Sequence, residues 1–372
     1  MRVRQLDTTR KRDVRQFVAF PFDLYRGCAQ WVPPLVSSAK AVMNRRKHPY
    51  YRHSTADFFV VESEGQTLGR IAMLNNRNYN DYRGRNTAFF GYFEVAEDIE
   101  AARALFDTAL AWTKANGLTG IIGPRGLIGV DGSVLVEGFE HRPALAITYN
   151  YPYYDTFIKD AGFEKDTDYL SGYRPLHPLL SERFHLIADT VRKRRKFWVK
   201  TFGSKAELRQ WIPHIVEVHH QAFSQLHSYY PPSPAETKLI IDSLLTIADP
   251  RLIKLVMQGE KIVGFLFAYH DLSAGLQKAK GRLWPWGWYH LLRERGQTEW
   301  VNVSAVGLLP EHRGVGANTL LYTEIEKSLC QFGFKYVDMV QINEDNINSV
   351  SDMKNIGVRW YKRHRHYRLK RE

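Results

Sequence analysis

The hydrophobic and polar positions of the chain follow one order of elements twice. Alternating or continuous apolar runs predict strands, and apolar residues at helical spacing predict helices. In the first half these patterns predict strands at 2–6, 57–62, 67–74, 87–95 and 118–122 and helices at 9–20 and 98–116. In the second half they predict strands at 197–202, 251–257, 261–269, 299–308, 334–342 and 359–369 and helices at 204–223, 235–247, 316–332 and 346–356. The repeated order indicates an internal duplication and a mixed α/β architecture.

The length of the chain agrees with two domains. A chain of 372 residues exceeds the size at which a single hydrophobic core is usual. We therefore predict an N-terminal domain at 1–175, a linker at 176–196 and a C-terminal domain at 197–372.

The composition is that of a globular protein with no predicted membrane span. Hydrophobic residues make up 44% of the chain and charged residues 24%, and no apolar run approaches the ~20 residues that a spanning helix needs. The charged N-terminus is not followed by the apolar segment of a secretory signal. The two cysteines, Cys28 and Cys330, exclude a disulfide framework and a cysteine-based zinc site. We expect a cytoplasmic location.

The formal net charge of +13 leaves two interpretations open. Such a basic surface is typical of proteins that bind nucleic acid. It is also typical of enzymes whose basic residues face phosphate-bearing cofactors and solvent. The excess is concentrated at 192–196 and 359–371, and the first run lies at the predicted domain boundary, where charges are usually solvated.

The stretch 306–318 carries the strongest chemical signal. It joins a predicted strand to a predicted helix, and the start of a helix has unpaired N–H groups and the positive end of the helix dipole. Such a place suits a phosphate or pyrophosphate group. Gly314 and Gly316 allow a ligand to approach closely, and Arg313 and His312 can add charge-assisted hydrogen bonds. The glycines alone fit a structural turn equally well.

This stretch resembles the acyl-CoA loop of the GNAT (GCN5-related N-acetyltransferase) superfamily. The family pattern is Arg/Gln-x-x-Gly-x-Gly/Ala after a strand that ends in Val-x-Pro, and the chain has Leu308-Leu309-Pro310 followed by Arg313-Gly314-Val315-Gly316-Ala317. A second family signature is expected about thirty residues later. Its positions are occupied by Asn346, Ser349, Met353 and Gly357-Val358.

The resemblance implies a fold, a co-substrate and a binding site. The fold is two tandem GNAT-like domains, each a mostly antiparallel twisted sheet flanked by helices. The co-substrate is acetyl-CoA or another acyl-CoA, and no metal is implied. The residues assigned to cofactor binding are Leu308, Leu309, Arg313, Gly314, Val315, Gly316, Ala317, Asn318 and Asn346.

Departures from the family pattern leave the catalytic residues unassigned. Met353 replaces the tyrosine that usually protonates the departing thiolate, and Asn302 stands where a glutamate base is usual; neither side chain can do that work. The weak candidates are Asn302, Ser304 on the same predicted strand face and Tyr361 on the last strand. Asn318 replaces a Gly or Ala, and it either crowds the pyrophosphate or donates a hydrogen bond to it. Loss of acid–base help slows a transferase ~10²–10⁴-fold without abolishing it.

The first half has the second signature but not the glycine loop. Asn150, Phe157 and Gly162-Phe163 match the signature, whereas Glu97 and Asp98 place acids where a phosphate would sit. We predict a degenerate GNAT-like domain that forms the far wall of the substrate cleft. The stretches 123–140 and 149–154 either line that cleft or form a surface loop beside a packed aromatic core.

An insertion at 271–297 contains Trp284, Trp286 and Trp288. These tryptophans could cap a substrate, anchor the protein on a membrane surface, or fill the space between the domains. Packing between the domains is the favoured interpretation.

Four histidines of one predicted helix region, His214, His219, His220 and His227, do not form a tight ligand face on a helix. No carboxylate motif accompanies them, so the sequence predicts no metal site.

The leading hypothesis is an N-acyltransferase that moves an acyl group from acyl-CoA to the amine of a small-molecule or amino-acid-like acceptor. A non-catalytic acyl-CoA-binding protein is a second hypothesis, motivated by Asn302 and Met353. A third is an RNA-interacting protein, including a Fem-type transferase that takes an aminoacyl group from tRNA, motivated by the basic charge and the duplication. The sequence does not specify the acceptor, the acyl chain length or the oligomeric state.

Overall fold

The structure is a computed structural model that describes residues 1–128, 132–226 and 229–370. His227 and part of the stretch 123–140 lie outside the described residues.

The strands follow the apolar runs of the sequence. The described residues form thirteen strands: β1 (Arg2–Gln5), β2 (Thr55–Ser63), β3 (Gln66–Asn75), β4 (Thr87–Val95), β5 (Gly120–Gly123), β6 (Val134–Glu137), β7 (Glu164–Pro175), β8 (Phe197–Lys200), β9 (Ile253–Gln258), β10 (Lys261–His270), β11 (Trp300–Leu308), β12 (Tyr336–Asn343) and β13 (Arg359–Lys370).

The described residues also form twelve α-helices: α1 (Lys11–Leu24), α2 (Val36–Val42), α3 (Arg77–Arg83), α4 (Ile99–Ala115), α5 (Tyr153–Asp160), α6 (Glu182–Arg195), α7 (Lys205–Phe223), α8 (Pro234–Ile247), α9 (Ser273–Lys278), α10 (Gly287–Gln297), α11 (Ala317–Gln331) and α12 (Ile347–Asn355). Short 3₁₀ turns lie at Pro49–Arg52, Pro250–Leu252 and Pro310–His312.

Side-chain caps explain where three of the long helices begin. Asp98 accepts a backbone N–H at the start of α4, and Ser204 does so at the start of α7. Ser233 and Glu236 form a reciprocal capping box at the start of α8. Each cap satisfies backbone donors that the first turn of a helix leaves unpaired.

The strands belong to one continuous sheet rather than two. The order is β1-β2-β3-β4-β5-β13-β7-β12-β11-β10-β9-β8, and β6 also pairs with β13. Within each half neighbouring strands are antiparallel, except for the parallel pairs β4–β5 and β11–β12. In the second half, α11 packs on one face of the sheet and α7 on the other.

The two halves exchange their last strands at the centre of this sheet. β13, the end of the chain, pairs with β5 and β7 of the first half, and β7 pairs with β12 of the second half. The exchange is reinforced by Asp168 on β7, which is buried and accepts two hydrogen bonds from Arg365 on β13, at 2.7 and 3.0 Å. A two-pronged pair of this kind fixes register as well as contributing energy.

The fold predicted from the sequence is confirmed: both halves contain a mostly antiparallel sheet flanked by helices. The sequence patterns missed α2, α3 and β6 in the first half, α6 inside the predicted linker, and α9 and α10 inside the insertion. α6 is tied to α11 through Arg192, which contacts Glu324 at 2.8 Å. The boundaries at 1–175, 176–196 and 197–372 remain predictions.

The strand exchange predicts that the halves fold only together. Residues 1–178 and 179–372 expressed separately are expected to be insoluble, because each fragment exposes strand edges that its partner covers. A protease site inserted between the exposed Pro178 and Leu179 should give two fragments that elute as one complex in size-exclusion chromatography. A soluble, cooperatively folded single fragment would contradict the prediction.

Candidate active site

The site lies where the parallel strands β11 and β12 separate. They are paired from Trp300 with Tyr336 to Val303 with Met339, and beyond that rung they diverge. The neighbouring β10 places Phe267 opposite Ala305 and Ala268 opposite Val303, so Ser304 is the extra residue of a β-bulge. Ser304 is exposed although its strand lies within the sheet. The bulge therefore marks a fork that is open between two central strands.

The fork opens toward the glycine loop that precedes α11. After the 3₁₀ turn Pro310–His312, Gly314 and Gly316 have φ of +71° and +84°, in the left-handed region that favours glycine. A Cβ at Gly314 would meet no atom within 4 Å, whereas a Cβ at Gly316 would meet Val191 of α6 at 2.8 Å. Gly316 is also the N-cap of α11 and supplies no side-chain cap. The N–H of Thr319 donates to the carbonyl oxygen of Gly316 at 3.1 Å, but no side chain caps the first turn of α11. The earlier N–H groups of a helix have no intrahelical acceptor, and they lie at the positive end of the helix dipole.

The other loop residues predicted to bind a cofactor are differently placed. The Arg313 guanidinium donates to the carbonyl oxygen of Ala222 at 2.7 Å, and so holds the end of α7 against the loop. Asn318 donates to Asp352 on α12 at 2.7 Å, so its amide neither crowds the loop nor points into it. Leu309 is fully buried in the core beneath α7.

Asn346 of the second signature is the N-cap of α12. Its side chain accepts the backbone N–H of Ser349 at 3.3 Å. The role of Asn346 that the structure shows is this local one. It stays a prediction that a cofactor is bound by Leu308, Val315, Ala317 and the remaining predicted residues.

Basic residues at the end of α6 border the same loop. Val191 touches Gly316, and the next residues are the run 192–196, in which 193–196 are exposed. The carbonyl oxygen of Arg195 accepts from Gln258, whose side chain also bonds His312 at 3.2 Å. The basic run that the sequence placed in a linker therefore lies next to the helix N-terminus.

A buried carboxylate lies at the base of the fork. Asp338 on β12 is 3% exposed and stands beside Asn302 of β11 in the register of the sheet. Their neighbours along each strand pack under α11, so by alternation both side chains face the side of α7. Burial raises the pKa of Asp338 to about 6. A carboxyl with this pKa can take up and release a proton near neutral pH.

The direct partners of Asp338 both come from β13. Tyr361 on β13 donates to its Oδ2 at 2.8 Å, and the Lys362 ammonium lies 4.0 Å from the same oxygen. Tyr269 on β10 pairs across the sheet with Asn302. Burial lowers the pKa of Lys362, although the charge of Asp338 acts in the other direction.

Two polar atoms of this cluster have no hydrogen-bond partner among the described residues: Oδ1 of Asp338 and Nδ2 of Asn302. Buried polar groups in folded proteins are normally satisfied. A pair of orphaned atoms on adjacent strands, next to an open fork, is the arrangement expected where a ligand completes the hydrogen bonding.

The first half of the chain covers this polar cluster. Lys362 donates to the carbonyl oxygen of Arg142 at 3.0 Å, Tyr269 reaches the carbonyl oxygen of Leu145, and the Arg142 guanidinium pairs with Asp271 at 3.6 Å. The segment around 142–145 is therefore the wall opposite the second half.

The structure brings together two of the three weak catalytic candidates. Asn302 and Tyr361 meet at Asp338, and Ser304 follows at the bulge. Met353 is buried in the core under α11, away from this face of the sheet. Asp338 was not among the residues singled out from the sequence, although a carboxylate in the middle of the apolar run Val337–Val340 could have indicated a functional group there.

The equivalent fork of the first half is filled by its own chain. β4 and β5 are paired over three residues and then diverge, as β11 and β12 do after their fourth pair. The backbone carbonyl of Arg125 occupies the position that a Cβ at Gly91 would need, at 1.9 Å, and Arg125 donates its N–H to Phe90. The first turn of α4 is capped by the carboxylate of Asp98, so a phosphate there would meet a negative charge.

An apolar cavity of about 310 Å³ lies between α7, α8 and the sheet. Its wall includes Val216 and His219 of α7, Ile240 of α8, and Phe265 and Phe267 of β10. Burial lowers the pKa of His219 to about 4, so this imidazole is neutral at physiological pH. Phe267 precedes Tyr269 by two residues on one strand face, which places the cavity about 7 Å along the sheet from the polar cluster.

The interpretation that the three tryptophans fill the space between the domains is wrong. Trp284, Trp286 and Trp288 are 80%, 71% and 42% exposed. It is α9 that contacts the first half, through Gln277, which donates to the carbonyl oxygens of Ala29 and Trp31. The indoles point outward because the turn that carries them lies beyond this contact.

The described residues contain no group of three or more His, Cys, Asp or Glu side chains that could hold a metal ion. Within the same ranges, no helix has both the length and the apolar character needed to cross a bilayer.

Comparison with known proteins identifies the fold. No model of a known protein family matches the chain. The chain is 24% identical over 365 residues to protein YghO of Escherichia coli (strain K12), covering 96% of this chain and 93% of that protein. It is 24% identical over 290 residues to a bacterial ceramide synthase of Caulobacter vibrioides (strain NA1000 / CB15N), covering 75% of this chain and 73% of that one.

Among solved structures, a tandem GNAT protein from the clavulanic acid biosynthesis pathway is similar over 99% of this chain and 98% of its own, with a TM-score of 0.58 and 12% identity. The GNAT resemblance stated from the loop motif is thus confirmed at the level of the fold, and the chain has a tandem GNAT fold.

Proposed function

We propose that this protein is an N-acyltransferase that moves an acyl group from acyl-CoA to an amine. One observation carries the proposal: the open fork joins an uncapped glycine loop to a buried carboxylate with a pKa of about 6. Neither feature alone indicates a transferase. Together they supply an anion site and a base on one side of a fold that GNAT proteins share.

Acyl-CoA would bind through its phosphates and its extended arm. The pyrophosphate would sit over Gly314, Gly316 and the first turn of α11, where backbone N–H groups and the helix dipole favour an anion. The basic end of α6, within 192–196, would add positive charge around these phosphates. The diverging strands leave backbone groups of β11 available to the arm, which would carry the thioester toward Ser304.

Asp338 would act as the general base. An alkyl amine is protonated at neutral pH, because its pKa lies near 10, and it attacks only as the free amine. In the proposed step the ammonium group first loses a proton to solvent. The free amine nitrogen then bonds to the thioester carbonyl carbon, the C–S bond breaks, the proton displaced from the acylated nitrogen passes to Asp338, and the CoA thiolate takes a proton from solvent. Asn302, with its unpartnered Nδ2, would hold the amine or the carbonyl in place.

The first half would build the acceptor side of the site and hold no CoA. Its fork is filled at Gly91, and its helix N-terminus carries Asp98. Segment 142–145 would close the cleft over Lys362 and Tyr269.

The apolar cavity suggests that one of the two reactants has an alkyl chain. Its volume equals that of about ten waters, and its wall, within the part of the chain that the structure describes, is mostly aliphatic and aromatic and includes no Lys, Arg, Asp or Glu. One relative is named a ceramide synthase, which agrees with a lipid-like substrate. We propose that the alkyl chain of the acyl group or of the amine lies between α7 and α8.

Asp338 bears on the alternative functions. The hypothesis of a non-catalytic acyl-CoA-binding protein rested on Asn302 and Met353, and Asp338 on the adjacent strand would supply the base that Asn302 cannot. CoA phosphates would account for the basic charge beside the glycine loop, which weakens the motivation for an RNA-interacting protein.

The phosphate site predicts an effect of charge at Gly314. This position is open and has a positive φ, which Asn and Asp tolerate better than other residues. Gly314→Asp places a carboxylate in the loop and should weaken CoA binding by about tenfold or more through charge repulsion, measured by isothermal titration calorimetry. Gly314→Asn is the neutral control of the same shape and should lose far less. Equal affinity in both variants, or no CoA binding by the wild type, would contradict the proposal.

The base predicts a dependence of rate on pH. Asp338 accepts a proton only when ionised, so kcat/KM calculated on the concentration of free amine should rise with pH through about 6. Asp338→Asn should lower kcat ~10²–10⁴-fold and remove this rise, with little change in the affinity for acyl-CoA.

Tyr361→Phe tests the same assignment without removing the carboxylate. The Tyr361 hydroxyl stabilises the ionised form of Asp338, so its loss raises the pKa of Asp338 and moves the rise in kcat/KM to higher pH. Tyr173→Phe is the control, because this ring packs on Tyr361 with centroids 5.2 Å apart. A profile that is identical in wild type and Tyr361→Phe would count against Asp338 as the base.

The cavity predicts a dependence on chain length. Ile240→Trp fills the cavity and should lower kcat/KM for long-chain substrates by at least about tenfold, since each buried methylene contributes about 0.8 kcal/mol, and should spare short-chain ones. Lys238→Trp, on the exposed side of the same helix, is the matched control. Varying the acyl length with a short amine, and then the amine length with acetyl-CoA, identifies whether the acyl group or the amine carries the alkyl chain that fills the cavity. Equal loss for short and long substrates would refute the cavity assignment.

A further inference from the structure

The insertion between β10 and β11 presents a surface for which the proposed reaction gives no role. The tryptophan turn, defined as residues 283–292, exposes two almost free indoles, Trp284 at 80% and Trp286 at 71%, beside Tyr289 at 50% and Leu292 at 60%. Soluble proteins rarely expose large side chains of this kind in one contiguous patch, and such patches mark interaction sites.

The turn is held in a defined conformation. The N–H of Trp288 donates to the carbonyl oxygen of Leu283, and its indole N–H donates to that of Pro285. Gly287 packs so tightly on the carbonyl of Arg282 that a Cβ there would lie 1.7 Å from the oxygen. The exposed indoles are therefore displayed by an ordered framework, which lowers the conformational entropy that docking would cost.

Positive charge surrounds the aromatic patch. Between Leu272 and Arg293 the sequence has four basic residues and no acidic one: Lys278, Lys280, Arg282 and Arg293. All four are exposed. The first half adds one more basic residue to this surface, because the exposed Lys40 of α2 lines a shallow groove with Arg282 and Trp284.

We propose that the tryptophan turn docks the protein on the surface of an anionic phospholipid membrane. Indole rings settle at the headgroup level of a bilayer, and lysine and arginine are attracted to anionic headgroups. The exposed Leu292 adds an aliphatic contact, which suits the acyl-chain region of a bilayer better than it suits RNA. Binding is peripheral, by partial insertion of side chains.

The test uses the full-length protein and vesicles without substrate, so its result does not depend on acyl transfer. The protein is floated with phosphatidylcholine vesicles that contain or lack about a third of phosphatidylglycerol. We expect flotation with the anionic vesicles, weaker flotation with the neutral ones, and loss of the difference at high salt. The variant Trp284→Ala/Trp286→Ala should bind the anionic vesicles at least about tenfold more weakly.

Two controls separate docking from damage to the fold. Trp198→Ala removes an indole that is 44% exposed on β8, outside the turn, and should leave vesicle binding unchanged. Lys280→Glu/Arg282→Glu keeps the indoles and should remove most of the preference for anionic vesicles.

Three outcomes would overturn the proposal. The first is a wild-type protein that does not float with anionic vesicles. The second is a tryptophan variant that floats as well as the wild type. The third is a wild-type protein that does not bind vesicles but forms a dimer or binds RNA through the same two tryptophans. That result would assign the surface to a second copy of the chain or to nucleic acid.

Discussion

The exchange of β7 and β13 is the constraint on which the rest of the structure depends. Each strand completes the sheet of the other half, so backbone hydrogen bonds that would otherwise end at two open edges continue through the centre of the molecule. The buried pair between Asp168 and Arg365 fixes the register of these two strands. One sheet with a single continuous order is the result, and the two halves lose the freedom to move as separate domains.

The same exchange assembles the candidate active site. β13 carries Tyr361 and Lys362 to the carboxylate of Asp338 on β12, although β13 pairs in the sheet with β5 and β7 rather than with β12. Segment 142–145 of the first half then closes over them. A carboxylate buried without a cation or a hydrogen-bond donor beside it would cost several kcal/mol. Asp338 keeps a pKa of about 6 because burial, which favours the neutral acid, is opposed by Tyr361 and Lys362.

Duplication gave the chain two forks, and the side chains at their ends distinguish them. In the second half Gly316 leaves the N-terminus of α11 uncapped, whereas Asp98 caps α4 in the first half. Arg125 also fills the space beside Gly91 that the second half keeps open at Ser304. Under the proposed function, the residue at each helix start would decide which half accepts an anion, and the other half would serve as a wall.

The sequence by itself determined most of the local structure: most of the strands, the helices α1, α4, α7, α8, α11 and α12, the caps at Asp98, Ser204 and Ser233, and the glycine loop before α11. These follow from side-chain periodicity and from hydrogen bonds between near neighbours, which a short window contains. Only the tertiary structure decided that β13 enters the first half, that Asn318 bonds Asp352, that Asp338 meets Tyr361, and that the tryptophans face solvent. An apolar run predicts that a strand is buried, but it does not predict which strand lies beside it. Backbone pairing is the same for every sequence, so the choice of neighbouring strand depends on contacts between residues that are distant in the chain.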